Sequence, residues 1–232
     1  MSVPPVSAAA DLDVTVDVTV DVVVEAPAWR KAVRGPVALS TRAARAAVAA
    51  ALPDSPLAPL AAAGVPLALC VALEDDAAVQ ALNRDFRGRD APTNVLAFAA
   101  LEDAAGRVLA PPAETWGGDR DDDDEPETLG DVVVALETTR DEAARAGKTL
   151  ADHLSHLVVH GVLHLLGHDH QDDAEAAVME GLETRILAGL GIADPYAESD
   201  ADADADGAGE GRAARPAMRD PGTGDDDGPD AE

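Results

Sequence analysis

Valine alternates with aspartate or threonine from residue 12 to residue 25, the period-two pattern of a strand with one buried face. The repeated VDVT at its start reads as ragged extension. An alanine-rich run at 41–52 follows Ser40 and predicts a helix capped by that serine. Residues 65–73 form a continuous apolar run with β-branched members, which predicts a buried strand. Behind Asp75 and Asp76, the positions Val79, Leu82 and Phe86 recur at helical spacing and predict an amphipathic helix to residue 86. Residues 88–92 form a turn, because Pro92 cannot continue a helix. Strands are expected at 94–99 and 129–136. Helices are expected at 138–146, ended by Gly147, and at 150–166, stopped by Gly167. Asp172 or Asp173 caps a last helix to about residue 190, and Gly191 and Pro195 end the fold. No repeat of 20–50 residues is present. This order predicts an α/β (α+β) single domain, a small mixed β-sheet flanked by helices.

Composition changes the picture at the ends and in one loop. Of 232 residues 47% are apolar but only 2% aromatic, so a core exists and must be built from alanine, valine and leucine. The net charge of −28 excludes a globally basic nucleic-acid binder, though not a local basic site. Residues 198–232 carry −9 and residues 114–127 carry −7, with compositions typical of solvated chain. We therefore expect a flexible N-terminus at 1–13, a domain at 14–196 with an acidic insertion near 102–128, and an acidic disordered tail at 197–232. Residues 26–53 hold no acid but five bases, and Arg84, Arg87 and Arg89 form a second basic knot. One cysteine, Cys70, excludes an intrachain disulfide and a cysteine-based zinc finger, and points to a reducing cytoplasm. No signal peptide is evident. Residues 55–73 lack charge for 19 positions, but Pro56, Pro59, Gly64 and Pro66 break any membrane-spanning helix there.

All six histidines fall between residues 153 and 170. His153, His156, His160 and His164 are spaced +3, +4, +4 and share one helix face. His160 and His164 can reach one ion, and Gly167 lets the chain turn so that His170 returns as a third ligand. Three neutral imidazoles with an open fourth position describe a catalytic zinc site on a zincin-like helix, one ion per chain. Zinc there makes water a nucleophile near neutral pH. The spacing H-x3-H-x2-G-x2-H matches the metzincin frame, but a zinc protease carries glutamate directly after the first histidine, and Gly161 stands here. His156 reads as a histidine that orients a ligand or packs in the core. His153 reads as partly exposed. His168 receives no role, and Asp169 is a candidate to orient a ligand or fix the turn.

At this point the chain resembles the YbeY-type endoribonucleases, the ribosomal RNA maturation factors. The likeness rests on LNRDFRGRDAPTNVLAF at 82–98, LGDVVVA at 129–135 and HLVVHGVLHLLGHDH at 156–170, with ETRILAGLGIADPY at 183–196 behind them. It covers roughly residues 14–196. Ala97 and Ala99 stand where the family often has serine and proline, and His168 where tyrosine is common. The resemblance implies zinc on His160, His164 and His170, and a functional arginine at Arg87. It also implies hydrolysis of single-stranded RNA, late maturation of the small-subunit ribosomal RNA 3′ end, and ribosome quality control. Ribosomal RNA and the small ribosomal subunit with its proteins are then the partners, with neither membrane nor DNA.

Phosphodiester cleavage needs cation density for the extra negative charge of the transition state. The planar fork of Arg87 suits phosphate, and Arg84 and Arg89 are positioned to bind the strand. Phe86 and Phe98 flank this motif and are expected in the core. Two rival readings follow from the same zinc frame. One is a zinc hydrolase of another substrate class, such as a metalloprotease, against which Gly161 speaks. The other is a non-catalytic metal-bound ribosome assembly factor, which a closed fourth ligand position would favour.

Overall fold

A computed structural model describes residues 17–103, 105–113, 126–169 and 172–197. The N-terminal stretch 1–13, the tail from residue 198 and residues 114–125 of the acidic insertion lie outside them. Four strands form one sheet: β1 (Val18–Val24), β2 (Leu67–Glu74), β3 (Val95–Ala99) and β4 (Glu127–Ala135), in the order β1-β2-β4-β3. The first three in space are parallel, and β3 closes one edge antiparallel to β4, with Val95 opposite Val134 and Ala97 opposite Val132.

One face of the sheet carries the main core. Leu67, Leu69, Val71 and Leu73 of β2 point there and are almost completely buried. They meet α2 (Pro36–Ala51), α6 (Leu150–Leu165) and α7 (Asp173–Gly189). The opposite face is covered by α4 (Asp76–Arg87), where Val79 packs on Leu96, Val133 and Ala135. That cover is partial, so the alternate positions of β2 are only half-buried and the strand alternates where the sequence suggested burial throughout. The short helices α1 (Trp29–Ala32) and α3 (Ala58–Ala62) had no periodic signal; Trp29 anchors α1 by donating its indole N–H to the Glu74 carbonyl at 2.9 Å. Helix α5 (Leu136–Arg145) follows β4 directly. No helix among the described residues is long and apolar enough to cross a membrane.

Three expectations are corrected. Helix α2 starts at Pro36, not behind Ser40. Gly35 takes the left-handed conformation at φ 66° and Pro36 supplies a preset φ for the first turn, leaving Ser40 fully buried within the helix. Phe86 lies outside the core at 69% exposure, because the last turn of α4 meets only the edge strand β3, and Phe98 is half-buried. Leaving a phenylalanine in water forgoes about 1.5–3 kcal/mol of burial. His153 is buried at 8% exposure rather than partly exposed, because α5 covers it. Within the expected acidic insertion, Glu102 bridges Val108, and Val108 joins the main core against Gly167.

Candidate metal centre

Helix α6 is capped by Thr149, whose hydroxyl accepts from the Asp152 amide at 3.1 Å, and gives way to Gly167 at φ 85°. Its apolar run lies against the sheet. The approach is closest at Gly161: a Cβ there would sit 2.6 Å from Val132 Cγ1 of β4. The position that holds the catalytic glutamate in a zinc protease is thus pressed against the sheet and has no room for one. The histidines occupy the flank of α6 that faces α5 and α7, with His153, His156 and His160 all under 9% exposed and His164 half-buried.

Glu183 of α7 organises this row. It is fully buried, and its two carboxylate oxygens meet His160 Nδ1 at 2.8 Å and His156 Nε2 at 2.9 Å. The Tyr196 hydroxyl also donates to Glu183. Burial pushes the Glu183 carboxyl up, but the hydrogen bonds and charge of His156 and His160 prevail and hold it far below the ordinary carboxylate range. An ionised Glu183 accepts the Nδ1 proton of His160 and so leaves the lone pair on Nε2, the tautomer that a metal takes.

That Nε2 faces His164 Nε2 at 3.2 Å, with the rings nearly perpendicular at 80°. Two nitrogens each about 2.05 Å from a tetrahedral zinc are about 3.3 Å apart. The pair therefore fits a metal, and the carboxylate behind His160 fits one too. No group of three or more histidine, cysteine, aspartate or glutamate side chains that could hold a metal is present among the described residues. The third sequence-assigned ligand, His170, lies outside those residues. Asp169 is half-buried in the turn after α6. His168 packs toward Ala51 and Asp54, and burial lowers its pKa.

The arginine knot sits elsewhere, at the end of α4. Gly88 at φ 68° ends the helix. Its amide donates to the Arg84 carbonyl at 3.1 Å, and that of Arg89 to the Asn83 carbonyl at 3.2 Å. Asn83, buried at 3% exposure, holds the following loop through Ala91 O at 2.8 Å. Arg87 donates from Nη2 to the Ala97 carbonyl of β3 at 3.1 Å. Arg84 pairs with Asp85 at 2.8 Å, and Arg84, Arg87 and Arg89 are all exposed.

The family model for endoribonuclease YbeY matches residues 41–191, which take in α2 from its second turn, the sheet from β2 onward, the arginine knot and the histidine helix. This chain belongs to the endoribonuclease YbeY family. A relative from Paramagnetospirillum magneticum is 53% identical over 173 residues, 74% of this chain and 92% of that one. Another from Rhodospirillum rubrum is 53% identical over 172 residues, 74% of this chain and 78% of its own. Both are described as endoribonuclease YbeY. A solution structure of a Thermotoga maritima protein aligns with a TM-score of 0.43 at 19% identity, covering 74% of this chain and 89% of that one.

Sequence reasoning on this YbeY-family chain missed the role of Glu183, and a signal for it existed. Met179, Leu182, Ile186 and Leu187 mark the buried face of α7, and Glu183 falls within that face. A carboxylate at a core position requires a partner. Glu142 of α5 was missed too. It meets His153 Nε2 and accepts from Asn94 Nδ2, both at 3.0 Å, and so ties the loop before β3 to the histidine helix.

Proposed function

We propose that this chain is a zinc-dependent endoribonuclease that cuts single-stranded RNA in the late maturation of the small-subunit ribosomal RNA 3′ end and in ribosome quality control. Membership of the YbeY family makes it an endoribonuclease of ribosomal RNA processing. The finer reading is carried by one observation: the two Nε2 atoms of His160 and His164 converge at 3.2 Å, with Glu183 fixing the tautomer of His160. His160, His164 and His170 hold the metal, and the helix that bears the first two is zincin-like. When bound, zinc supplies Lewis acidity that polarises a phosphoryl oxygen and makes water nucleophilic near neutral pH.

The protein's own groups do the rest. Glu183 accepts from Nδ1 of His160 and so turns Nε2 to the ligand side and orients the ring, with His156 and Tyr196 sharing that carboxylate. Arg87, fixed against the Ala97 carbonyl, presents a planar cation to the charge that develops on phosphate. Arg84 and Arg89 bind flanking phosphates. Asp169, half-buried in the turn after α6, orients a ligand or fixes that turn. The sterically closed Gly161 position supports RNA over peptide as the substrate. The ribosomal small subunit and its proteins present the RNA in the cytoplasm, which suits a chain whose net charge is −28.

Cleavage of ribosomal RNA precursor by wild type and by His164→Ala, purified side by side, tests this. Loss of both zinc and cleavage in the variant is the expected result. Equal cleavage by both proteins assigns the activity elsewhere.

A further inference from the structure

Phe86 is the most exposed of the large apolar side chains in the described structure, at 69%. It is not isolated. Its ring meets Phe98 of the edge strand at a centroid distance of 5.3 Å and an interplanar angle of 65°, an edge contact that leaves Phe86 exposed. The next residue along the helix, Arg87, bonds to the carbonyl of Ala97, the neighbour of Phe98 on the strand. Two consecutive contacts therefore fix an aromatic ring and a guanidinium side by side on one strand edge. Arg84 and Arg89 flank them, and the span 84–90 carries three cations and two anions in a chain of net charge −28. The buried loop anchor Asn83 and the left-handed Gly88 hold the backbone of this turn in place. The ring is therefore presented on an ordered scaffold, which lowers the entropy lost when something packs on it.

An exposed aromatic beside arginines suits one ligand class. Every nucleobase has a π-face, and single strands are gripped by stacking bases on such rings while cations follow the backbone. A folded protein partner would require a wider apolar surface than one ring and its half-buried neighbour. We propose that Phe86, braced by Phe98, is a stacking platform for an unpaired base of the RNA strand, with Arg84 and Arg89 on the adjoining phosphates. This rests on the RNA-cleaving reading above and adds a specificity for unstacked strands that the metal cannot supply.

The test uses the full chain loaded with zinc and a single-stranded RNA oligonucleotide containing 2-aminopurine. Binding is read from the anisotropy of a terminal label and stacking from quenching of the 2-aminopurine, and cleavage is followed in the same sample. Phe86→Ala and Phe86→Leu each weaken binding about ten-fold and raise KM with little change in kcat. Phe86→Trp restores both. Zinc content and melting temperature stay as in the wild type. Stacking is not ionic, so the slope of log affinity against log salt is unchanged in Phe86→Ala, whereas Arg89→Ala makes it shallower by about 0.7. Leucine binding as tightly as phenylalanine, or alanine as tightly as wild type, overturns the platform. Wild-type binding and cleavage without quenching also overturns it and leaves the nuclease reading standing. A wild type that neither binds nor cleaves single-stranded RNA removes that reading and this proposal together.

Discussion

The histidine helix and the arginine turn are built on opposite physical terms. On α6, His153, His156 and His160 are buried and each meets a carboxylate of a neighbouring helix: His160 and His156 the fully buried Glu183, and His153 the half-buried Glu142. On the turn after α4, Arg84, Arg87 and Arg89 are exposed, and what is buried is the anchor Asn83. Under the proposed function, the difference follows from what each would bind. A metal ion needs fixed neutral imidazoles in a site of restricted dielectric, so its ligands are arranged before it arrives. A phosphate chain is met by cations that stay in water, so the arginines are exposed, with Arg87 braced against the Ala97 carbonyl. Mutations on the two sides should therefore separate stability from activity.

The largest effect is expected from Glu183→Ala. It strips His156, His160 and Tyr196 of their shared acceptor, which costs about 3–5 kcal/mol of stability for a buried pair. Zinc affinity falls about 10- to 100-fold as well. Calorimetry and metal titration read both, and an unchanged melting temperature with full zinc would break the contrast. Arg87→Ala comes next and in the opposite sense. Cleavage should fall on the order of 100-fold through kcat, with zinc content and melting temperature held. Loss of stability in that variant would place Arg87 among the structural groups.

Gly161→Ala should lower stability by about 1–3 kcal/mol, because its new Cβ meets Val132 Cγ1 at 2.6 Å and the helix must move off the sheet. A urea melt checks this. The smallest effect concerns Glu142. Burial raises its carboxyl, but hydrogen bonds from His153 and Asn94 prevail and lower it. A lowered folded-state value means stability that is full above the ordinary carboxylate pKa of about 4.3 and is lost as pH falls through the folded value. Glu142→Gln should therefore flatten the acid limb of the stability curve. A limb identical to wild type would show that this carboxylate contributes nothing to it.

Much of this contrast was legible beforehand, and the reasons are local. Helical spacing placed four histidines on one face of α6, and Gly167 marked its end, because both signals act within a few residues. Asp75 and Asp172 cap their helices as their sequence positions suggested. What could not be read was set by partners distant in sequence. Glu183 lies 23 residues from His160, and only packing of α7 on α6 joins them. His153 became buried through Glu142 on another helix. Phe86 kept the helical spacing of a core residue, yet the sheet beneath it ends at β3, and no periodicity reports where a sheet ends.

The most direct measurement is X-ray absorption at the zinc edge of the loaded full-length protein, beside His170→Ala. Three imidazole nitrogens and one further light atom are predicted for the wild type, with one imidazole lost in the variant. Two imidazoles in the wild type, or a spectrum that His170→Ala leaves unchanged, would contradict the three-histidine centre.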